Sequence, residues 1–237
     1  MSGVSGVSVL GADEPAVVCR DLSRTFGTGT RAVVAVHGTS CQVAARARIA
    51  IVGPSGSGKS TMLHLMAGLE IPTGGTVEWP GLDAGAAGRA RQIGVVFQGP
   101  SLVPALDVLE NASLPLVLAG VPAKECRSRA LEALRLVGVE ALVHQLPEEL
   151  SGGQAQRVAL ARVLAQGPHL VLADEPTGQL DAVAGRQVID ELLLAADRLG
   201  AALVVSTHDP LVAERLDERW TMHEGRLSAA ADGRVPA

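Results

Sequence analysis

A glycine-rich loop with the sequence GPSGSGKST (53–61) has the residue types needed to hold phosphate groups. It matches the pattern G-x-x-x-x-G-K-[ST] and lies between the apolar run RIAIV (48–52) and the helical run MLHLMAGL (62–69), as a phosphate-binding loop requires. The glycines allow successive backbone N–H groups to face a β-phosphate, and the start of the following helix adds partial positive charge. The predicted nucleotide contacts are Gly53, Pro54, Ser55, Gly56, Ser57, Gly58, Lys59, Ser60 and Thr61.

Lys59 is distinctive because this chain carries its positive charge almost entirely on arginine. The sequence has eighteen Arg and two Lys, which are Lys59 and Lys124. Lysine provides a compact ammonium on a flexible stem, whereas arginine is a broad planar fork. An ordinary glycine turn capped by Ser would account for the small residues but not for this lysine. We therefore expect Lys59 to reach the β- and γ-phosphate oxygens and Ser60 to ligate Mg²⁺.

Two adjacent carboxylates follow another apolar run, HLVLADEP (169–176). The run predicts a strand that ends at Asp174, whose carboxylate is placed to hold Mg²⁺ directly or through water. Glu175 is placed to orient or deprotonate an attacking water molecule. An Asp-Glu pair after a strand is often only a solvated turn, but the phosphate loop upstream favours the catalytic interpretation.

Four apolar runs in the chain are typical of buried parallel strands, and each is followed by polar chemistry. The runs are 48–52, 93–97, 170–173 and 202–206. The phosphate loop follows the first run, Gln98 the second, Asp174 and Glu175 the third, and His208 the fourth. Because ligands bind outside the carboxyl ends of parallel strands, we expect these residues to converge on one site. Alone, Gln98 and His208 would be ordinary loop or cap residues.

The remaining elements predict an α/β fold with two additions. The Val- and Thr-rich segment 17–43, together with GGTVEW (74–79), predicts an antiparallel β portion. The stretch 100–166 has helical periodicity and is predicted to be a helical insertion. We expect residues 1–15 to be a disordered lead-in, residues 16–228 to form the domain, and residues 229–237 to be a flexible tail.

The composition argues against several functions. A net charge of −5 and an isoelectric point near 5.7 do not provide the basic field of a general nucleic-acid binder. Two Phe, two Trp and no Tyr are too few for a platform that stacks single-stranded bases. We expect no nucleic-acid partner. No uncharged apolar run reaches the roughly 18 residues of a membrane-spanning helix, so we expect a soluble chain.

The segment LSGGQAQR (150–157) poses a question about helix stability. Ser151 and Gln154 have the spacing of a helix capping box, and the following RVALARVLA favours a helix. Gly152 and Gly153 nevertheless occupy the first turn, where each glycine costs about 0.5–1 kcal/mol relative to alanine. Helix formation alone does not explain this bare backbone.

With these residues in view, the chain resembles the nucleotide-binding subunit of an ATP-binding cassette (ABC) transporter from about residue 17 to residue 227. The resemblance implies a P-loop ATPase core with a mostly parallel sheet, an N-terminal antiparallel β subdomain and an inserted helical subdomain. It also implies ATP and Mg²⁺ as the bound groups. The motifs that carry it, in the order of the family, are Phe26, the phosphate loop, Gln98, LSGGQ (150–154), Asp174 with Glu175, GQLD (178–181) and His208.

The resemblance assigns a role to each motif. Glu175, His208 and Lys59 are the implied catalytic residues, and Ser60, Gln98 and Asp174 are the implied Mg²⁺ ligands. In such proteins two copies pair head to tail, and each LSGGQ helix points its N-terminus at the γ-phosphate held by the other copy. The implied contacts to the second copy's ATP are Ser151, Gly152, Gly153 and Gln154, and Asp181 is counted among the nucleotide-binding residues.

Three segments, 94–116, 150–164 and 172–181, look most like the lipoprotein-release and macrolide-efflux subgroup of the family. The chain departs from that subgroup where Arg46 and Ala47 replace a usual Gly-Glu pair and where Gln179 replaces Asn. Phe26 stands where Tyr is common. It keeps an aromatic face for adenine, although a half-buried strand residue is the alternative interpretation.

The implied function is a homodimeric motor that couples Mg-ATP hydrolysis to a separate integral membrane permease. The permease is expected to dock near residues 98–116 and to hold the chain at the cytoplasmic face of the membrane, with Gln98 linking the nucleotide site to the helical subdomain. A soluble ABC ATPase of DNA repair or translation would need a long coiled-coil insertion or a second cassette, neither of which is in this sequence. A cell-division type that transmits force without moving substrate stays open.

Overall fold

The computed structural model describes residues 14–83 and 85–229. The predicted lead-in (1–15) and tail (229–237) therefore lie mostly outside the described residues. Ala229, the first residue of the predicted tail, is the last residue of the final strand.

The N-terminal part of the chain forms a three-stranded antiparallel sheet, as its Val- and Thr-rich sequence predicts. Its strands are β1 (Val17–Phe26), β2 (Val33–Val43) and β4 (Gly74–Glu78), in the spatial order β2-β1-β4. The pairing of β1 with β2 runs from Val17 opposite Val43 to Phe26 opposite Val33. Phe26 is therefore held at the end of the strand pair.

A six-stranded sheet forms the centre of the protein, in the order β5-β6-β7-β3-β8-β9. The four apolar runs are its strands β3, β5, β6 and β7, and neighbouring strands among them are parallel. Two further strands, β8 and β9, were missed in the sequence; β8 runs parallel to β3, and β9 is antiparallel to β8. The strand bounds are Arg48–Val52 (β3), Ile93–Val96 (β5), Leu170–Asp174 (β6), Ala202–Thr207 (β7), Glu218–His223 (β8) and Arg226–Ala229 (β9).

Helices surround the central sheet and form the insertion. Their bounds are Lys59–Met66 (α1), Ala86–Gln92 (α2), Val108–Leu118 (α3), Ala123–Leu136 (α4), Gly152–Leu164 (α5), Ala182–Leu199 (α6) and Pro210–Ala213 (α7). The stretch 100–166 contains α3, α4 and α5, after an irregular segment at its start. The α/β class with an antiparallel β portion and a helical insertion is confirmed.

The two faces of the central sheet pack into two separate hydrophobic cores. In β3, Ile49 and Ile51 pack into the core shared with α1 and the antiparallel sheet. Ala50 and Val52 pack into the other core, shared with α6 and the helical insertion. Because alternate residues of a strand point to opposite faces, both sets must be apolar, which is why these strands are continuous apolar runs. In β3, β5, β6 and β7, the polar side chains are left to the strand ends.

Candidate functional site

The glycine-rich loop lies between β3 and α1, and its backbone is in close contact with two other strands. A Cβ on Gly53 would lie 2.1 Å from the carbonyl oxygen of Met222, and a Cβ on Gly58 would lie 2.2 Å from that of Ala35. Gly58 also has φ of 103°, in the region that favours glycine. These two positions require glycine for packing, whatever the loop binds.

Lys59 is buried over the loop. Its Nζ donates hydrogen bonds to the carbonyl oxygens of Gly53 at 2.9 Å and Pro54 at 3.1 Å. The same ammonium lies 3.3 Å from Oε1 of Glu175. The lysine that distinguished the loop in sequence is therefore joined directly to the carboxylate that follows β6.

The ends of β6 and β7 hold the two carboxylates in place. Oγ of Ser206 donates a 2.6 Å hydrogen bond to Oδ1 of Asp174 and accepts one of 3.0 Å from the backbone N–H of Glu175. Glu175 has φ of 43°, which is a left-handed conformation. This conformation is energetically unfavourable for any residue other than glycine. Sequence reasoning missed Ser206; its signal was a hydroxyl ending an otherwise apolar run.

His208 completes the surroundings of Glu175. Its Nδ1 lies 3.3 Å from Oε2 of Glu175, so the two carboxylate oxygens face different partners, Lys59 and His208. The amide of Gln98 lies close to Gly178, since a Cβ on that glycine would be 3.3 Å from Nε2 of Gln98. The predicted convergence of polar residues at the carboxyl ends of the strands is observed for all four strands.

A cavity of about 500 Å³ lies over this arrangement. Predicted residues that line it are Phe26, Ser55, Gly56, Gly58, Lys59, Ser60, Thr61, Gln98 and Glu175. Residues that the sequence did not indicate also line it: Val33, Val34, Ala35, His37, Glu224 and Gly225. The second group comes from β2 and the β8–β9 turn, whose position depends on sheet pairing distant in sequence. The cavity therefore joins an aromatic ring to a phosphate-type loop.

The LSGGQ segment lies elsewhere. Ser151 and Gln154 form the predicted capping box: the Gln154 N–H donates to Ser151 Oγ at 3.3 Å, and the Ser151 N–H donates to Gln154 Oε1 at 2.8 Å. None of Ser151, Gly152, Gly153 and Gln154 lines the cavity. A Cβ on Gly152 would meet nothing within 4 Å, and one on Gly153 would make only ordinary contact with Ala184 at 3.4 Å. Packing within one chain does not require either glycine.

Asp181 is also not brought to the cavity. It is the N-cap of α6, and its Oδ1 accepts hydrogen bonds of 2.9 Å from the N–H groups of Val183 and Ala184. These two N–H groups lower the pKa of Asp181 below its usual value. Within one chain its observed role is to start a helix.

The LSGGQ helix α5 is tied to α6 through Arg157. Arg157 Nε donates to the carbonyl oxygen of Gly153 at 3.4 Å, and Arg157 Nη1 lies 3.8 Å from Oε1 of Glu191 on α6. Burial raises the pKa of Glu191 to about 7, against the opposing effect of Arg157. Glu191 Oε2 is buried without a hydrogen-bond partner in the described part of the chain.

The fold and the site together define a nucleotide-binding α/β protein of the P-loop class, with a carboxylate and a histidine beside the phosphate loop. A family model described as ABC transporter matches residues 36–178. Lipoprotein-releasing system ATP-binding protein LolD of Legionella pneumophila (strain Paris) is 42% identical over an alignment of 215 residues, and the match covers 88% of this chain and 95% of that protein. An uncharacterized ABC transporter ATP-binding protein of Thermotoga maritima is 45% identical over an alignment of 205 residues, and the match covers 84% of this chain and 86% of that one.

A solved structure shows the same architecture. The dimeric post-hydrolysis state of the ATP-binding cassette MJ0796, bound to ADP and Pi, has a TM-score of 0.80 and 35% identity, with 89% of this chain and 96% of that chain covered. The chain belongs to the ABC transporter family, and within this family it is an ATP-binding subunit that hydrolyses ATP. The predicted family is confirmed, and the comparisons support the transporter prediction over the cell-division alternative. Among the described residues, no helix has the length and apolar character to cross a membrane.

The raised pKa of Glu191 predicts how stability changes with pH. An unfolded glutamate has a pKa near 4.3, so between about pH 4.3 and 7 the unfolded chain ionises while the folded chain keeps its proton. The contribution of Glu191 to stability is therefore present at low pH and is lost as pH rises toward 7. The variant Glu191→Gln lacks this titration, so its melting temperature should rise relative to wild type as pH increases from 5 to 8.

Thermal unfolding followed by circular dichroism at several pH values measures this difference. Glu132→Gln, an exposed glutamate on α4, is the matched control and should follow the wild-type pH dependence. A constant difference between Glu191→Gln and wild type across the pH range would contradict the assignment.

Proposed function

We propose that the chain works as a homodimeric motor that binds two Mg-ATP between its copies and drives a separate membrane permease. The observation that carries the proposal is the position of the LSGGQ segment. Gly152 and Gly153 begin a capped helix, lie away from the chain's own phosphate loop and have no packing reason to be glycine. A helix N-terminus with bare backbone is suited to a phosphate that another molecule brings.

The MJ0796 structure supports this arrangement because it is a dimer of a cassette with the same architecture. In our proposal, Ser151, Gly152, Gly153 and Gln154 of one copy approach the γ-phosphate held by the phosphate loop of the other. The D-loop residue Asp181 would lie at the same interface. Each copy would thus supply half of each of two composite sites.

The chemistry in each composite site follows from the contacts of Glu175. Its carboxylate would accept the proton of a water molecule that attacks the γ-phosphorus, while the bond from that phosphorus to the bridging oxygen of ADP breaks. Lys59, 3.3 Å from Oε1, would stabilise the negative charge on the β- and γ-phosphate oxygens. His208, 3.3 Å from Oε2, would orient the carboxylate.

The donor set beside the loop fits Mg²⁺. The proposed ligands, Ser60, Gln98 and Asp174, offer a hydroxyl, an amide and a carboxylate oxygen, and Mg²⁺ prefers oxygen ligands combined with substrate phosphates. Among the described residues, no cluster of three or more His, Cys, Asp or Glu forms a metal site. Bound Mg²⁺ would neutralise charge that develops on the phosphate oxygens.

Phe26 would bind the other end of the nucleotide. It ends β1 at the edge of the cavity, and its side chain is partly exposed. Its ring offers a flat apolar face for stacking with adenine. We thus expect the nucleotide to lie along the cavity, with its γ-phosphate at the phosphate loop and its base at Phe26.

The permease would dock on the irregular segment and helix that follow Gln98, residues 98–116. Helix α5 holds the start of this segment: Gln156 Nε2 donates to the Phe97 carbonyl oxygen at 3.3 Å, and Arg162 Nη1 donates to that of Ser101 at 2.9 Å. Because α5 begins with LSGGQ, movement of the nucleotide contacts would be transmitted to the segment. Docking there would hold the subunit at the inner face of the cell membrane.

Buried Asn111 gives the proposed docking segment a fixed shape. Its Nδ2 donates to the carbonyl oxygens of Val103 at 3.1 Å and Leu106 at 2.8 Å, and its Oδ1 accepts from the Val103 N–H at 2.8 Å. The apolar side chains of Val103 and, just beyond the segment, Val117 and Leu118 are exposed. Exposed apolar groups on a rigid support are typical of a protein interaction surface.

Removal of the Glu175 carboxylate tests the catalytic role. Glu175→Gln keeps the shape of the side chain but cannot accept a proton, so ATP hydrolysis should fall by at least about 10²-fold while ATP still binds. The ATP-bound dimer should then accumulate and elute as a dimer in size-exclusion chromatography with Mg-ATP. Glu125→Gln, an exposed glutamate of α4, should behave as wild type. Elution of Glu175→Gln only as monomer would count against the dimer.

Substitution of Gly152 should have opposite effects on the stability of the chain and on its ATP-dependent dimerisation. Gly152→Ala has room for its Cβ and improves helix propensity, so the free energy of unfolding of the nucleotide-free chain should rise by up to about 1 kcal/mol. The same methyl group would separate the helix N-terminus from a partner's phosphate, so ATP-dependent dimerisation should weaken. Urea unfolding and size-exclusion chromatography, both in the Glu175→Gln background, measure the two effects. Unchanged dimerisation would exclude close backbone approach at Gly152.

A mixing experiment tests whether LSGGQ acts on the partner's nucleotide. Lys59→Ala disables the phosphate loop and Ser151→Arg blocks the LSGGQ segment, so neither variant alone can form an intact composite site. In a mixed dimer, one site combines both defects, whereas the other combines an intact loop with an intact LSGGQ segment. ATP-dependent pairing of differently labelled subunits is therefore expected only in the mixture. Absence of mixed dimers, under conditions in which wild-type dimers form, would show that the segment does not act in trans.

A further inference from the structure

Arg24 is stacked on the aromatic ring at the nucleotide cavity. Arg24 and Phe26 are two residues apart on β1 and so lie on the same face of the strand. The guanidinium carbon of Arg24 is 4.5 Å from the centroid of the Phe26 ring, within the range of a cation–π contact. Phe26 lines the cavity, whereas Arg24 is not among the residues that line it.

A second contact fixes the guanidinium. Arg24 Nη2 is 2.7 Å from Oε2 of Glu70, and both side chains are partly buried. Glu70 lies just beyond α1, the helix that begins with Lys59 of the phosphate loop. The ion pair thus connects the strand that carries the aromatic ring to the segment that follows the phosphate-binding helix.

A phenyl ring at the end of a strand has no hydrogen-bonding group with which to fix its orientation. Phe26 is 38% exposed, so packing encloses only part of the ring. A guanidinium held over one face by an ion pair restricts the rotation of the ring, and the ring still lines the cavity. A ring that is already oriented loses less conformational freedom when a base stacks on it.

We propose that Arg24 is a positioning residue for base recognition: stacked on Phe26 and anchored by Glu70, it holds the ring in the orientation that stacks the nucleobase of ATP. The inference rests on the proposed function, in which Phe26 binds adenine. Arg24 acts only through the ring, so it contributes to binding of ligands that contain a base and not to binding of a polyphosphate alone. It is therefore a determinant of nucleotide affinity that does not itself touch the nucleotide.

The variant Arg24→Met removes the planar cation and keeps an unbranched side chain of similar reach. Binding of ATP and of inorganic tripolyphosphate to the full chain is measured by isothermal titration calorimetry. We expect the dissociation constant for ATP to rise about two- to fivefold, the range of an exposed cation–π contact, and that for tripolyphosphate to stay unchanged. Unchanged tripolyphosphate binding also verifies that the variant is folded.

The chain provides a matched control. Arg89 stacks on Trp79 with its guanidinium carbon 4.2 Å from the ring centroid, and neither residue lines the nucleotide cavity. Arg89→Met removes the same chemical contact elsewhere and should leave the affinity for both ligands at the wild-type value. An equal loss of ATP affinity in Arg24→Met and Arg89→Met would overturn the proposal.

Combining Arg24→Met with Phe26→Ala distinguishes an error in the role of Arg24 from an error in the proposed base site at Phe26. Phe26→Ala should weaken ATP binding selectively, and adding Arg24→Met to it should cause no further loss, because Arg24 then has no ring to position. If Phe26→Ala is selective but Arg24→Met alone has no effect, Arg24 has no positioning role. If Phe26→Ala weakens neither ligand, the proposed base site at Phe26 is itself wrong. Full additivity of the two substitutions would also overturn the role of Arg24, because it would then act independently of the ring.

Discussion

The close approach of the phosphate loop to two neighbouring backbones is the constraint on which the site depends. Gly53 and Gly58 leave no room for a Cβ against Met222 and Ala35, so the loop, β8 and β2 are in direct contact. Hydrogen bonds reinforce this contact, since the N–H of Gly225 donates to the Ser57 carbonyl oxygen at 2.9 Å and the N–H of His37 donates to that of Gly225 at 2.8 Å. The antiparallel sheet, which carries the aromatic ring, is thereby fixed to the loop. A side chain at either glycine would separate the two halves of the cavity.

Charge is concentrated at the same place. Lys59 is buried, and an ammonium without partners would be costly to bury, so the loop carbonyl oxygens and Glu175 are necessary to its position. Glu175 in turn has a strained backbone, which its N–H bond to Ser206 stabilises. Strain and buried charge of this kind are tolerated because the surrounding parallel strands are rigid. Two of the residues proposed to carry out hydrolysis, Lys59 and Glu175, therefore carry a buried charge and a strained backbone.

The sequence was informative where chemistry depends on a short segment. The loop GPSGSGKST, the pair Asp174 and Glu175, and the capping box at Ser151 were each recognisable because their function arises within a few residues. Strands β8 and β9 were missed, because their alternating short pattern is weak and their pairing with β3 joins distant parts of the chain. The contributions of β2 and the β8–β9 turn to the cavity were missed for the same reason. Ser206 could not be separated from its apolar strand without knowing that β7 lies beside β6.

The capping box at Ser151 has a consequence for the coupling of folding to assembly. A hydroxyl group has one hydrogen and two lone pairs, and Ser151 uses a lone pair to accept the Gln154 N–H. Its hydrogen is not used in that bond and remains available to donate to an oxygen outside the helix. The observed cap uses a lone pair of the Ser151 oxygen, whereas the proposed bond to a partner's phosphate would use the hydroxyl hydrogen. In the proposed dimer, a subunit that joins its partner would therefore keep its helix cap intact.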